Sequence, residues 1–299
     1  MLEETRITNE QNKRVFFILD NISSALENLS LKVNPLADEF IRRYFYTNDK
    51  ATKMERGTEF KKKLIVFYYE VHYSVSELKC MFSGIVLPVQ VVIGAHLFKS
   101  CWAKDCQARL GFDEINNPRN GLLLFKPFEY AFDNSHICFQ FDAQNEWFSM
   151  KILDPELRNL TIKEYILKEK EIDCTLFLKS RDDWRNTFKM NPHLTDEDMT
   201  SRMEAVDNLL TILEQKFSTF EGKYLEHIEG KKCFGRCLSF QASMARLLAI
   251  ENCWITKEDF DSPSMFSELE NKKKEQLSSW FKALEPHNVG KEIDDKLFA

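Results

Sequence analysis

The hydrophobic positions of this chain change period twice. Between residues 12 and 30, Val15, Ile18, Leu19, Ile22, Leu26 and Leu29 recur at helical spacing, one stripe of an amphipathic helix. Pro35 suits the first turn of a second helix carrying Leu36, Phe40, Ile41, Tyr44 and Phe45. A third is expected over 55–75, through Leu64, Phe67, Tyr68 and Val71. After Cys80 the pattern shortens. The runs 85–87 and 89–93 are β-branched and parted by Pro88, and read as a hairpin or two short strands. Mixed character over 98–111 suggests a helix inserted after His96. A strand is expected over 121–125. Pro127 then opens a short helix through Glu129 and Phe132, ended by Asp133-Asn134-Ser135, and 136–141 alternates as a last strand. Beyond Asp154-Pro155 helical patterning returns over 161–171, 196–229, 238–251 and 264–284. Thr195 followed by three acids marks a helix start. Met203, Val206, Leu210, Leu213 and Phe217 fit core burial better than a coiled-coil seam.

Composition narrows the class. With 43% hydrophobic and 29% charged residues, the 299-residue chain can bury a real core and is not a disordered polyelectrolyte. Only 9 glycines and 8 prolines argue for few tight turns and much helix, and the 25 phenylalanines read as core. A net charge of −6 argues against a protein coated in nucleic acid, but leaves room for a local basic groove. Two basic runs exist: Lys50, Lys53, Arg56, Lys61, Lys62 and Lys63, then Lys231, Lys232, Arg236 and Arg246. Solvated helix faces are the commoner origin of such runs, with phosphate contacts the alternative. No secretory signal or membrane span is evident, so an intracellular protein of nucleus or cytoplasm with reduced thiols is expected. Cys101/Cys106 and Cys233/Cys237 are spaced poorly for a zinc knuckle and read as structural thiols. Cys80, with no partner at suitable spacing, predicts no structural zinc either.

One stretch carries specific chemistry. His96 closes an apolar strand, Asn120 opens the next, and Glu129 and Asp133 lie four apart on a short helix. A neutral imidazole can take a proton from water at cellular pH. An amide can fix the strand geometry around it, and two carboxylates on one helical face suit a hard divalent ion. His136 is a secondary ligand candidate, since the turn before it takes it off that face.

The pieces Cys80-Met81-Phe82-Ser83-Gly84, Gly94-Ala95-His96-Leu97, Asn120-Gly121-Leu122-Leu123-Leu124, and Glu129 with Phe132-Asp133 together resemble the HNH endonuclease family, in its Ala-His, Asn-Gly-Leu-Leu-Leu, Phe-Asp variant. The resemblance covers about residues 80–142 and implies a ββα-metal fold, a divalent ion and cleavage of nucleic-acid phosphodiesters, DNA more than RNA. It implies His96 as general base, Asn120 as positioner, and Glu129 and Asp133 as metal ligands. Where the family usually places a metal-binding histidine on the helix, this chain has Glu129, which shifts the expected metal from zinc or nickel to Mg²⁺ or Mn²⁺. Where many members carry a metal ligand before the base, it has Ala95. The expected architecture is α+β: a helical region 1–76, an HNH-like ββα-metal domain 77–153, and a helical region 154–299 that helps form the cleft. The C-terminal helices are also the expected surface for a protein partner or oligomer, and no membrane contact is expected. Arg236 and Arg246, about three turns apart on one side of a helix, could grip phosphates, although surface arginines on a packing helix are commoner. Alanines 242 and 245 would let another element approach that helix closely. A non-catalytic module built on the same scaffold, binding nucleic acid or a protein, is the competing reading.

Overall fold

Two apolar runs, Val92–His96 (β3) and Gly121–Phe125 (β4), pair antiparallel with Val92 opposite Phe125 and His96 opposite Gly121. In this computed structural model the described residues are 58–256, without 71–74, 100–113, 143, 146, 192, 227 and 229. The helices expected over 12–30, after Pro35, over 98–111 and over 264–284 lie outside them, as do Cys101 and Cys106. Strand alternation puts Val92, Gly94 and His96 on one face of this hairpin, with Ile93 and Ala95 on the other.

Helix Thr58–Tyr69 (α1) lies against the His96 face because two glycines leave room for it. A Cβ on Gly94 would sit 3.0 Å from Leu64 Cδ1, and one on Gly121 only 2.5 Å from Phe60 Cζ. The outer edge of β4 is sealed as well. Tyr68 donates its hydroxyl to the Gly121 carbonyl (2.9 Å), and the Met81 N–H donates to the Leu123 carbonyl (2.8 Å). Met81 Sδ accepts from the Leu123 N–H (3.3 Å), and Cys80 Sγ from the Phe125 N–H (3.3 Å). An otherwise open strand edge is thereby closed to other chains. Cys80 heads the turn that makes this possible: Gly84 donates to its carbonyl (2.9 Å) and, at φ +73, takes the left-handed conformation that favours glycine.

Glu77–Lys79 (β1) pairs with Val86–Pro88 (β2) in the same turn region. The two β-branched runs around Pro88 are therefore separate strands, joined by a single 3-10 turn over Val89–Val91, and do not form a hairpin with each other. Helix Lys126–Asp133 (α2) follows β4 directly, with proline in its first turn, and ends at Asn134 and at Ser135, whose φ is +61. Ile137–Asp142 (β5) then pairs with Trp147–Ile152 (β6).

Four more helices complete the described part: Ile162–Lys168 (α3), Arg181–Lys189 (α4), Asp196–Leu213 (α5) and Gly235–Glu251 (α6). The first three of these start with capping boxes, at Thr161, Ser180 and Thr195. The helix expected over 196–229 is corrected: α5 stops at Leu213. Its continuation turns back on the start of α3, where Ile162 donates to the Gln215 carbonyl (2.9 Å) and Phe217 to the Leu160 carbonyl (3.1 Å). Phe217 and Phe220 then enter the core from a 3-10 turn. Met203, Val206 and Leu213 are buried in this fold. In α6, Ala242, Ala245 and Ala249 pack on Cys138 and Leu153. The result is an α+β architecture of helices and small antiparallel sheets. No helix among the described residues is long and apolar enough to cross a membrane.

Phenylalanine holds these pieces together. Phe128, in the first turn of α2, meets Phe82 at 4.9 Å, Phe125 at 5.8 Å, Phe217 at 5.6 Å and Phe220 at 4.9 Å, all near edge-to-face. The turn after Cys80, strand β4, helix α2 and the segment after α5 thus share one aromatic centre. Phe128→Ala is expected to lower the unfolding free energy by roughly 3–5 kcal/mol, measured by urea denaturation.

Candidate active site

His96 ends β3 with its ring flat on Phe60 of α1, centroids 3.6 Å apart and planes 9° off parallel. Its Nε2 donates to the Asn116 side-chain oxygen (3.0 Å). An amide oxygen only accepts, so Nε2 carries the proton and Nδ1 is the nitrogen able to take one up. The motif glycines now have a reason. Gly121 stands opposite His96 and admits Phe60 to the space beside the imidazole.

Asn120 is wholly buried and uses both ends of its amide. Its Oδ1 accepts from the Phe98 N–H (2.9 Å), while Nδ2 donates to the carbonyls of Phe98 (3.0 Å) and Ile115 (2.9 Å). The Asn120 carbonyl also accepts from the Leu97 N–H (3.0 Å). The backbone just after His96 is therefore tied to the backbone just before β4 by side chain and main chain together. Before it, Asn117 and Pro118 start a 3-10 turn in which the Asn117 side chain accepts from the Arg119 N–H (3.0 Å). Asn120→Ala would orphan buried groups of Phe98, and a loss of about 1–3 kcal/mol is expected, read from the shift in urea midpoint.

Helix α2 places Glu129 and Asp133 one turn apart. Glu129 is 3% exposed, a burial at which a carboxylate must be matched by cations or donors. The C-terminal end of α2 is tied from two sides: Lys99 Nζ donates to the Asp133 carbonyl (3.2 Å) and Gln241 of α6 to the Phe132 carbonyl (3.0 Å). His96 faces α1, and among the described residues no three His, Cys, Asp or Glu side chains lie close enough to hold a metal ion. His96, Glu129 and Asp133 thus form no closed protein cage of the kind structural zinc needs. The carboxylates on α2 are oxygen donors, the kind of ligand that hard divalent ions take. Cys233 and Cys237 are both buried, and burial pushes the Cys233 thiol up to about 12, far from a thiolate.

His136 lies after the turn that ends α2, with Nδ1 2.9 Å from the Tyr165 hydroxyl and its ring edge-on to Trp254. Burial lowers its pKa below the ordinary 6.5, outweighing the charges of Asp154 and Glu169. The folded state then favours the neutral ring, whereas the unfolded chain takes up a proton once pH falls through about 6.5. Stability is full above that pH and declines below it. Between pH 7.5 and 5.5 (roughly one unit either side of that value), the drop in melting temperature is expected to be smaller in His136→Gln than in the wild type.

The partners of His96, namely Phe60 and Asn116, escape a motif reading. Phe60 precedes the motif in sequence, and Asn116 has no signature beyond lying in Asn116-Asn117-Pro118. The sulfur bonds of Cys80 also go beyond the role of a small buried side chain.

A buried asparagine thus staples two strand ends, a histidine closes one of them, and two acids lie on the next helix. Residues 80–140 match the model of the HNH endonuclease family. The match spans the Cys80 turn, β2, β3, β4 and α2 and reaches into β5, while α1 and α6, which pack on them, lie outside it. Family members of this type bind nucleic acid and generally use a divalent metal. No curated protein and no solved structure matches the chain.

Proposed function

We propose that the chain is a metal-dependent HNH-type endonuclease that hydrolyses phosphodiester bonds, of DNA in preference to RNA, in the nucleus or cytoplasm. The hairpin β3–β4 and helix α2 are read as the ββα-metal unit. The observation that carries the reading is the fully used amide of Asn120 beside His96. A buried side chain spends three hydrogen bonds on fixing the backbone next to one imidazole, the kind of positioning that a general base requires. His96 Nδ1 takes a proton from water as the water oxygen attacks phosphorus. The bridging P–O bond in line with it breaks, and the departing oxygen is protonated by solvent. Asn116 holds the Nε2 proton, and Phe60 holds the ring plane. Glu129 and Asp133 would hold the divalent ion, which when bound polarises the phosphate and offsets charge on the departing oxygen.

A second reading, a module that binds nucleic acid or a protein without cutting, is favoured by one observation: among the described residues no three His, Cys, Asp or Glu side chains group closely enough to hold a metal ion. Plasmid nicking with Mn²⁺ separates the two. The wild type is expected to nick. His96→Ala should lose about 10²–10⁴-fold in rate while remaining folded. Mn²⁺ should raise the melting temperature of the wild type but not of Glu129→Ala. A folded wild type that never nicks under these conditions favours the second reading.

A further inference from the structure

The basic run of residues 231–236 lies outside the matched segment, yet it is pinned to the residue that precedes Asn120. Phe234 donates its N–H to the Arg119 carbonyl (2.7 Å), and Arg119 Nε donates to the Lys232 carbonyl (3.2 Å). The Arg119 guanidinium lies 4.5 Å from the centre of the Phe234 ring and that of Arg236 lies 4.3 Å from the same centre. Lys232 Nζ stands 5.0 Å over the Trp147 ring. Lys231, behind them, is engaged with Glu70 at 2.6 Å and with the Phe67 carbonyl. The side chains of Arg119, Lys232 and Arg236 are exposed. No carboxylate among the described residues is within ion-pairing distance of Arg119 or Lys232, in a chain whose net charge is −6.

We propose that Arg119, Lys232 and Arg236 form a phosphate-binding surface that takes the backbone of a nucleic-acid strand beside the His96–Asn120 end of the hairpin. The choice of a nucleic acid as the polyanion rests on the nuclease reading. The surface itself rests on charge and placement. A ring beside a guanidinium holds the cation without itself consuming N–H donors; Arg119 uses Nε on the Lys232 carbonyl, and guanidinium donors are well matched to phosphate oxygens. Such contacts hold the backbone without reading its bases, so they set where a strand lies and not which sequence is cut. The segment 231–236 thereby joins the cleft, although no family motif extends to it.

The test is binding of a fluorescent DNA duplex by the full chain without divalent metal, across a salt series, with an RNA duplex as a second arm. Each phosphate contact removed should flatten the slope of log affinity against log salt by about 0.9. Lys232→Gln alone is expected to remove about one such unit. The combined Arg119→Gln, Lys232→Gln, Arg236→Gln variant should remove two to three units and weaken binding by about tenfold or more, with its melting temperature kept. Unchanged affinity and slope in Lys232→Gln and in the folded triple variant would overturn the surface, as would equal competition by poly-glutamate at matched charge. A wild type that nicks DNA while the triple variant binds normally removes the surface and leaves the nuclease reading. A wild type that binds through these residues and never nicks does the reverse.

Discussion

The amide of Asn120 is the constraint around which the hairpin is arranged. It leaves β3 and enters β4 at the same point, and it does so with a polar side chain fully removed from water. Burying an amide is costly unless every group on it is matched. Here the carbonyl oxygen and both hydrogens of the NH₂ group are used on backbone of Phe98 and Ile115. The arrangement is therefore stable only when the two ends of the intervening segment, residues 97–119, return to one spot. That requirement brings His96 within 3.0 Å of Asn116 whatever the rest of the segment does. The imidazole and the Asn116 amide that accepts its proton owe their closeness to one side chain.

Much of the central fold is legible in the residues. Runs 92–96 and 121–125 are apolar and β-branched or leucine-rich enough to be strands, and Pro127 marks the start of a helix that the Asp133-Asn134-Ser135 turn must end. Strand β1 was not foreseen, because three residues with two charged ends, Glu77 and Lys79, carry no alternation to read. Strand β6, Trp147–Ile152, is absent from the expected elements although its residues do alternate: Phe148, Met150 and Ile152 are buried and are separated by Ser149 and Lys151. The overlong helix after Thr195 has a plain cause. Phe217 continues the helical spacing of Leu210 and Leu213, but it is buried from a 3-10 turn, and periodicity does not distinguish the two. At the site, His96, Asn120, Glu129 and Asp133 can be picked out from residue type and order. What holds His96 is not legible, because Phe60 and Asn116 come near it only through the packing of α1 and the closure at Asn120.

Glycine explains why α1 belongs with the hairpin. Gly94 and Gly121 resemble turn residues in the chain, yet both sit in extended backbone, where their value is the missing side chain. Their absent Cβ atoms let Leu64 and Phe60 approach the sheet closely enough for a ring to lie flat on the imidazole. The aromatic centre at Phe128 does the same on a larger scale, drawing the segment after α5 into contact with α2.

The unit that family resemblance detects and the unit that folds are of different lengths here. An excised piece holding only 80–140 would leave Gly94 and Gly121 facing water where Leu64 and Phe60 had been, and would strip Tyr68 from the Gly121 carbonyl. Such a fragment would carry every recognisable letter of the motif and lack the neighbours that give those letters their shape. Domain boundaries drawn from similarity alone would cut this protein through its own interior.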